Sequence, residues 1–197
     1  MDVWRRFEQV TLHVHPDHRL FRSSAPNYDL SGRDVVQHFT QEAVDFLIQN
    51  AINGIISFNS HPYSDAAQAL LGAANIAYLH LPVEDFAPPT IEQLAQAYNF
   101  YRDRRCTLMH CGYGHGRTGV GVTGLQLHVT SGQNPLEDHW RHHNHVERPG
   151  QMAVLRRLRD SFPVSSHAEG VAKQLLTLRV TSRRLMQTNK SRKDHQH

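Results

Sequence analysis

Cys111 and Arg117 are separated by five residues in the stretch HCGYGHGRTG, with glycines at 112, 114, 116 and 119. The apolar run Cys106-Thr107-Leu108-Met109 just upstream reads as a buried strand, and Thr118 to Val129 downstream reads as a helix. A glycine-rich loop at a strand-to-helix handover is a ready site for a phosphate-like anion. Its backbone N–H groups turn inward and the helix dipole adds positive potential. That field equally favours a negative sulfur, so Cys111 should be a thiolate. Arg117 supplies a planar fork that can bind two oxygens at once.

Cys-x5-Arg with a leading His110 and a trailing Thr118-Gly119 resembles the signature of the cysteine-dependent protein tyrosine phosphatase superfamily. The short chain and its other motifs look like the dual-specificity, atypical branch. The resemblance implies that Cys111 is the nucleophile. It implies that Gly112, Tyr113, Gly114, His115, Gly116 and Arg117 hold the equatorial phosphate oxygens. Thr118 would donate a hydrogen bond to sulfur and ease its departure in the second step, while His110 would orient the loop. LFRSSAP, residues 20–26, is similar to an Arg-Ser-x-x-Pro segment near the active-site rim of such enzymes, so Arg22 is a further candidate phosphate contact.

Cleavage of a phosphate ester leaves an oxygen that needs a proton. The acidic, proline-flanked stretch LPVEDFAPP, residues 81–89, resembles the mobile acid loop of the family. Asp85, before Phe86 and the proline pair, matches it best, and Glu84 is the alternative carboxylate. Arginine and backbone dipoles supply the positive charge, so no metal or other cofactor is expected.

A phosphorylated protein, with phosphotyrosine and then phosphoserine or phosphothreonine, is the expected substrate. An inositol phosphate or phosphoinositide is the alternative. Lipid phosphatases resembling this superfamily often carry loop lysines, whereas this loop has Gly112 and the weakly basic His115. Tyr113 offers an aromatic rim or packs under the loop. Glu147-Arg148-Pro149-Gly150-Gln151 partly resembles an Arg-Pro-Gly segment of dual-specificity enzymes. There the Gln lies several residues further on, so a water-positioning role for Gln151 is not expected. Two readings of other classes remain: a non-catalytic module binding phosphorylated ligands, and a sulfur-transfer loop. The presence of Cys111, Arg117, Thr118 and Asp85 together argues against both.

The elements that must position these residues alternate between strand and helix. Val10, Leu12 and Val14 alternate with polar residues as a first strand. Thr40 caps a helix with Ala43, Phe46, Leu47 and Ala51 inward, which Gly54 ends. Residues 55–58 read as a buried strand, 64–74 as a helix and 76–81 as a strand. Thr90 to Gln93 is a capping box opening a helix with Ile91, Leu94, Ala95 and Tyr98 inward. Gly132 stops the helix after the loop, and Asn134-Pro135 starts a histidine-rich one. Gln151 to Phe162 is a last core helix with Met152, Leu155 and Leu158 inward. The expected fold is α/β: a mainly parallel sheet of four to five strands with helices on both faces.

Within the 197 residues, 1–163 are expected to form the catalytic domain and 164–197 a basic helix and disordered tail. The net charge of +3 is unevenly spread: residues 1–164 hold 14 Lys and Arg against 16 Asp and Glu, −2, and residues 165–197 hold 7 against 2, +5. A tail of that sign can approach an acidic membrane through residues 171–186, but packing on its own domain is the default, and nucleic acid is not an expected partner. No apolar run suffices to cross a membrane, no secretory h-region is present, and two cysteines form no disulfide framework. A cytoplasmic location is expected, and the same composition is compatible with delivery into another cell. His139, His142 and His143 can share a helix face, but the chain has 16 histidines, so a metal site is not expected. Cys106 reads as a buried strand thiol, with an oxidative disulfide to Cys111 as the alternative.

Overall fold

The computed structural model describes residues 3–29 and 37–163. The expectations about the basic C-terminal stretch lie outside the described residues. The elements are β1 (Glu8–Val10), β2 (Arg19–Ser23), α1 (Gln41–Gln49), β3 (Gly54–Ser57), α2 (Asp65–Ala73), β4 (Ala77–His80), α3 (Ile91–Arg102), β5 (Cys106–His110), α4 (Gly116–Val129), α5 (Glu137–His142) and α6 (Pro149–Ser161). The sheet runs β1-β2-β5-β3-β4. All neighbours are parallel except β1, which pairs antiparallel with β2.

The three inner strands carry consecutive apolar pairs, and side chains on a strand alternate between faces. Phe21, Ile55 and Leu108 therefore point one way and join Ala43, Val44 and Leu47 of α1 with Ala67 and Leu71 of α2. Leu20, Ile56 and Met109 point the other way, onto Ala97 and Tyr101 of α3 and Val122 and Leu125 of α4. A third cluster joins the far sides of α3 and α4 to Trp140 of α5 and to Met152, Leu155 and Leu158 of α6. Helix α4 is buried from Gly116 through Leu127, because the sheet, α3 and α6 enclose it. Its N-terminus, and the loop feeding it, are thereby held against the centre of the sheet.

The caps at Thr40 and Thr90 form as the sequence predicts, with the reciprocal Thr90–Gln93 pair present, and Ser64, read as the start of its helix, caps it instead. Several expectations need correction. The first strand ends at Val10, short of Leu12 and Val14. α1 ends at Gln49, and Gly54 opens β3 rather than ending the helix. The inner face of α3 is Leu94, Ala97 and Tyr101, rotated from the expected one because α4 lies to one side of the sheet. α5 starts at Glu137 behind Leu136, not at Asn134-Pro135. β2, inside the segment noted only for its Arg-Ser motif, is an inner strand paired with β5.

Candidate active site

Strand β5 delivers His110 and Cys111 at the carboxyl end of the sheet, and the loop closes into α4 at Gly116. The side chain of the N-cap residue His115 makes no capping hydrogen bond to α4, and a helix start of this kind suits an anion. The Gly114 N–H donates to Cys111 Sγ at 3.3 Å. Gly114 has φ of +95°, and a Cβ there would lie 2.6 Å from the Ser23 carbonyl oxygen. Only glycine satisfies both the left-handed backbone and that approach.

Arg117 is buried. Its Nη1 donates to the Phe58 and Val83 carbonyls at 3.1 and 3.0 Å, and its Nη2 to Asp85 Oδ1 at 2.9 Å. The carboxylate expected to act as acid thus meets Arg117, while Glu84 does not line the cavity. Asp85 Oδ1 also accepts from the Phe86 N–H at 3.0 Å.

The leading histidine is buried. Its Nε2 shares a 2.6 Å hydrogen bond with Tyr63 Oη, and its Nδ1 lies 3.3 Å from the Cys111 carbonyl oxygen. Burial pushes the Tyr63 phenol well above its ordinary pKa, so the hydroxyl stays neutral. Tyr63 and the Cys111 carbonyl thus hold the His110 ring. The Thr118 hydroxyl is fully buried and has no hydrogen-bond partner among the described residues; it does not bond to sulfur, which accepts from the Gly114 N–H.

Arg22 lies under the loop, not on the cavity wall. Its Nη2 donates to the Gly114 carbonyl at 2.7 Å and its Nη1 to the Asn144 carbonyl at 3.0 Å, with Glu8 Oε1 3.5 Å from Nε. Burial lowers its pKa, opposed by Glu8 and by the Cys111 sulfur. This arginine clamps the loop and does not reach the cavity. The Asn144 carbonyl approaches because residue 119 is glycine; a Cβ at Gly119 would lie 2.1 Å from it.

A cavity of about 510 Å³ opens above Cys111. Gly112, Tyr113, His115, Gly116 and Arg117 floor it, and Tyr28, Asp85, Phe86, Glu147 and Gln151 wall it. Outside it, the Arg6 guanidinium sits 3.5 Å from the Tyr113 ring centre and that of Arg148 4.5 Å from the Phe86 ring centre. His115 stacks on His145 at 4.2 Å. Burial, then His145, Arg22 and Arg6, hold the His115 pKa down at about 4, so this histidine is neutral near pH 7.

Tyr28, Phe86 and Glu147 are wall residues that the spacing of the catalytic signature does not disclose. For Gln151 a water-positioning role was not expected. Its Oε1 accepts from the Glu147 and Arg148 N–H groups at 3.0 and 3.2 Å. Its Nε2 points at the Phe86 and Ala87 carbonyls, 3.4 and 3.5 Å away, tying the acid loop to α6. Its proximity to the Arg-Pro-Gly segment was the available signal.

Cys106 begins β5 and Cys111 follows its end. Five residues of strand span about 16 Å, far beyond disulfide reach, so the alternative of a bond between them is ruled out in this fold. In the histidine-rich helix, His142 turns to Asp138 at 3.0 Å while His139 and His143 stack on each other. Among the described residues, no group of three or more His, Cys, Asp or Glu side chains converges to hold a metal.

Strand, anion loop, buried arginine and facing carboxylate define a cysteine-dependent phosphatase of the protein tyrosine phosphatase fold. The chain belongs to the family described as Swiss Army Knife protein, DSP-PTPase phosphatase domain, whose model matches residues 35–172. No curated protein sequence matches it. Among solved structures it is similar to the kinase-associated phosphatase KAP with its catalytic cysteine replaced by serine, at 18% identity and TM-score 0.62, over 79% of this chain and 94% of that one. It is similar to PTPMT1 in complex with PI(5)P at 15% identity and TM-score 0.57, over 78% and 94%. The core catalytic domain of the PP-IP phosphatase SIW14 from S. cerevisiae aligns at 16% identity and TM-score 0.54, over 85% and 91%. These likenesses are of fold.

Proposed function

We propose that this phosphatase acts on phosphorylated proteins, with phosphotyrosine as its best substrate. The observation that carries this reading is the composition of the cavity. Among the described residues, Arg117 is the only lysine or arginine lining it, and the aromatic rings of Tyr28, Phe86 and Tyr113 line it too. An aryl phosphate fits such a mouth, with the ring between aromatic walls and one phosphate on one cation. PTPMT1 crystallised with PI(5)P and the PP-IP phosphatase SIW14 make inositides the competing class. Against them, no lysine occurs before Lys173, and among the described residues the other charged side chains lining the cavity are the carboxylates of Asp85 and Glu147.

The reaction runs in two displacements. The Cys111 sulfur attacks phosphorus, an S–P bond forms, and the P–O ester bond breaks. Asp85 gives its proton to the leaving oxygen. The phosphoryl oxygens take the place of Asp85 at Arg117 Nη2, while Nη1 stays anchored to Phe58 and Val83. Asp85 then takes a proton from water as it attacks phosphorus, the S–P bond breaks, and inorganic phosphate leaves.

The test is phosphate release, with chelator present, from para-nitrophenyl phosphate, phosphotyrosine, phosphoserine and phosphothreonine peptides, inositol phosphates and phosphoinositides. Turnover should be abolished in Cys111→Ser and fall about 100-fold or more in Asp85→Ala on peptides. Aryl phosphates should exceed alkyl phosphates, and these should exceed inositides. A preference for inositol polyphosphates would overturn the substrate assignment. Tight binding of a phosphorylated ligand without turnover would favour a binding module.

A further inference from the structure

The mechanism leaves one charged group of the cavity without a task, the Glu147 carboxylate. It stands over the anion loop: a Cβ on Gly116 would lie 2.5 Å from Glu147 Oε2. Its backbone is anchored, because the Glu147 N–H donates to buried Gln151 Oε1 and Pro149 starts α6 two residues later. Among the described residues, no cation pairs with the carboxylate. The adjacent Arg148 turns outside the cavity onto the Phe86 ring, and Arg117 is committed to Asp85 and two carbonyls. An enzyme that binds a dianion thus places a second, uncompensated negative charge beside it.

We propose that Glu147 is a specificity-determining residue that rejects substrates bearing a second anion next to the scissile phosphate. An ionised carboxylate accepts hydrogen bonds and donates none. It therefore tolerates a neighbouring hydroxyl, amide N–H or ammonium, and repels a neighbouring phosphate or carboxylate. A second phosphate further out escapes the carboxylate and comes under Arg6 and Arg148 at the mouth. The selection is by the position of the second charge, not by total charge. The inference rests on the aryl phosphate reading above and adds which aryl phosphates are excluded.

Three small substrates separate these effects: phenyl phosphate, catechol bisphosphate with its phosphates on adjacent ring carbons, and hydroquinone bisphosphate with them on opposite carbons. The readout is kcat/KM for each bisphosphate relative to phenyl phosphate. In wild type, catechol bisphosphate should be disfavoured about tenfold relative to hydroquinone bisphosphate, as expected for two charges a few ångströms apart at a partly wet site. Glu147→Gln should remove most of that gap and Glu147→Lys should invert it. In wild type the gap should also narrow as salt rises, a result that needs no variant. A gap unchanged in both variants, or insensitive to salt, would overturn the proposal. So would equal changes for the two bisphosphates, which would mean selection by total charge. No Cys111-dependent turnover of phenyl phosphate would instead overturn the aryl phosphate reading, and this proposal with it.

Discussion

Replacing Arg22 separates two roles that the same residue could hold. Its guanidinium donates to the Gly114 and Asn144 carbonyls, both in buried surroundings, at 2.7 and 3.0 Å. A hydrogen bond from a charged donor contributes about 1.5–3 kcal/mol, so the two together are worth about 3–6 kcal/mol. Burying the guanidinium costs part of that, which leaves a net loss of about 2–4 kcal/mol for Arg22→Ala. Arg22→Lys keeps the charge but cannot span two carbonyls with one ammonium, and should lose about 1–2 kcal/mol. Urea denaturation of wild type and both variants measures these losses, and inhibition by orthophosphate measures phosphate binding. A clamp predicts that stability falls in both variants and that kcat falls with it, because Gly114 carries the N–H that meets the Cys111 sulfur. The reasoning is refuted if Arg22→Ala is as stable as wild type while phosphate inhibition weakens, for that is the signature of a direct phosphate contact.

Gly119→Ala should destabilise by about 1–3 kcal/mol, because the new Cβ meets the Asn144 carbonyl at 2.1 Å and must displace it; denaturation midpoints check this, and an unshifted midpoint would contradict it. Thr118→Val should leave stability unchanged or raise it by about 1 kcal/mol, since the buried hydroxyl has no partner. If that hydroxyl serves sulfur during turnover, the same variant should retain a burst of released phenolate while steady-state kcat drops. His115 carries a folded-state pKa of about 4 against 6.5 unfolded. Its neutral form is favoured by folding, so stability is intact above about pH 6.5 and is lost progressively as pH falls towards about 4. Melting temperatures of wild type should therefore fall more steeply over that window than those of His115→Asn; parallel curves would refute the assignment.

Local chemistry made much of this protein readable from its residues. The caps at Thr40, Ser64 and Thr90 act within one helical turn, so they form wherever the sequence places them. Consecutive apolar pairs mark strands buried on both faces, as at Ile55-Ile56 and Leu108-Met109. β2 was harder to see because two arginines interrupt it, and Arg22 is buried only by virtue of carbonyls 92 and 122 residues away in sequence. The same limit applies to α3, whose inward face is set by where α4 lies, not by its own periodicity.

From its residues alone the sequence marks an anion loop with a cysteine and an arginine, and an acidic stretch with two candidate carboxylates, because spacing within a strand–loop–helix unit is local geometry. It also determined the α/β architecture, because burial periodicity repeats along the chain. Tertiary packing settled that Asp85, not Glu84, meets Arg117. It alone placed Arg22 beneath the loop, kept His115 neutral, and turned Glu147 and Gln151 into cavity walls. Each of those outcomes depends on distances between segments far apart in the chain. Such distances are fixed by how helices pack on the sheet, and residue types alone do not encode them one position at a time.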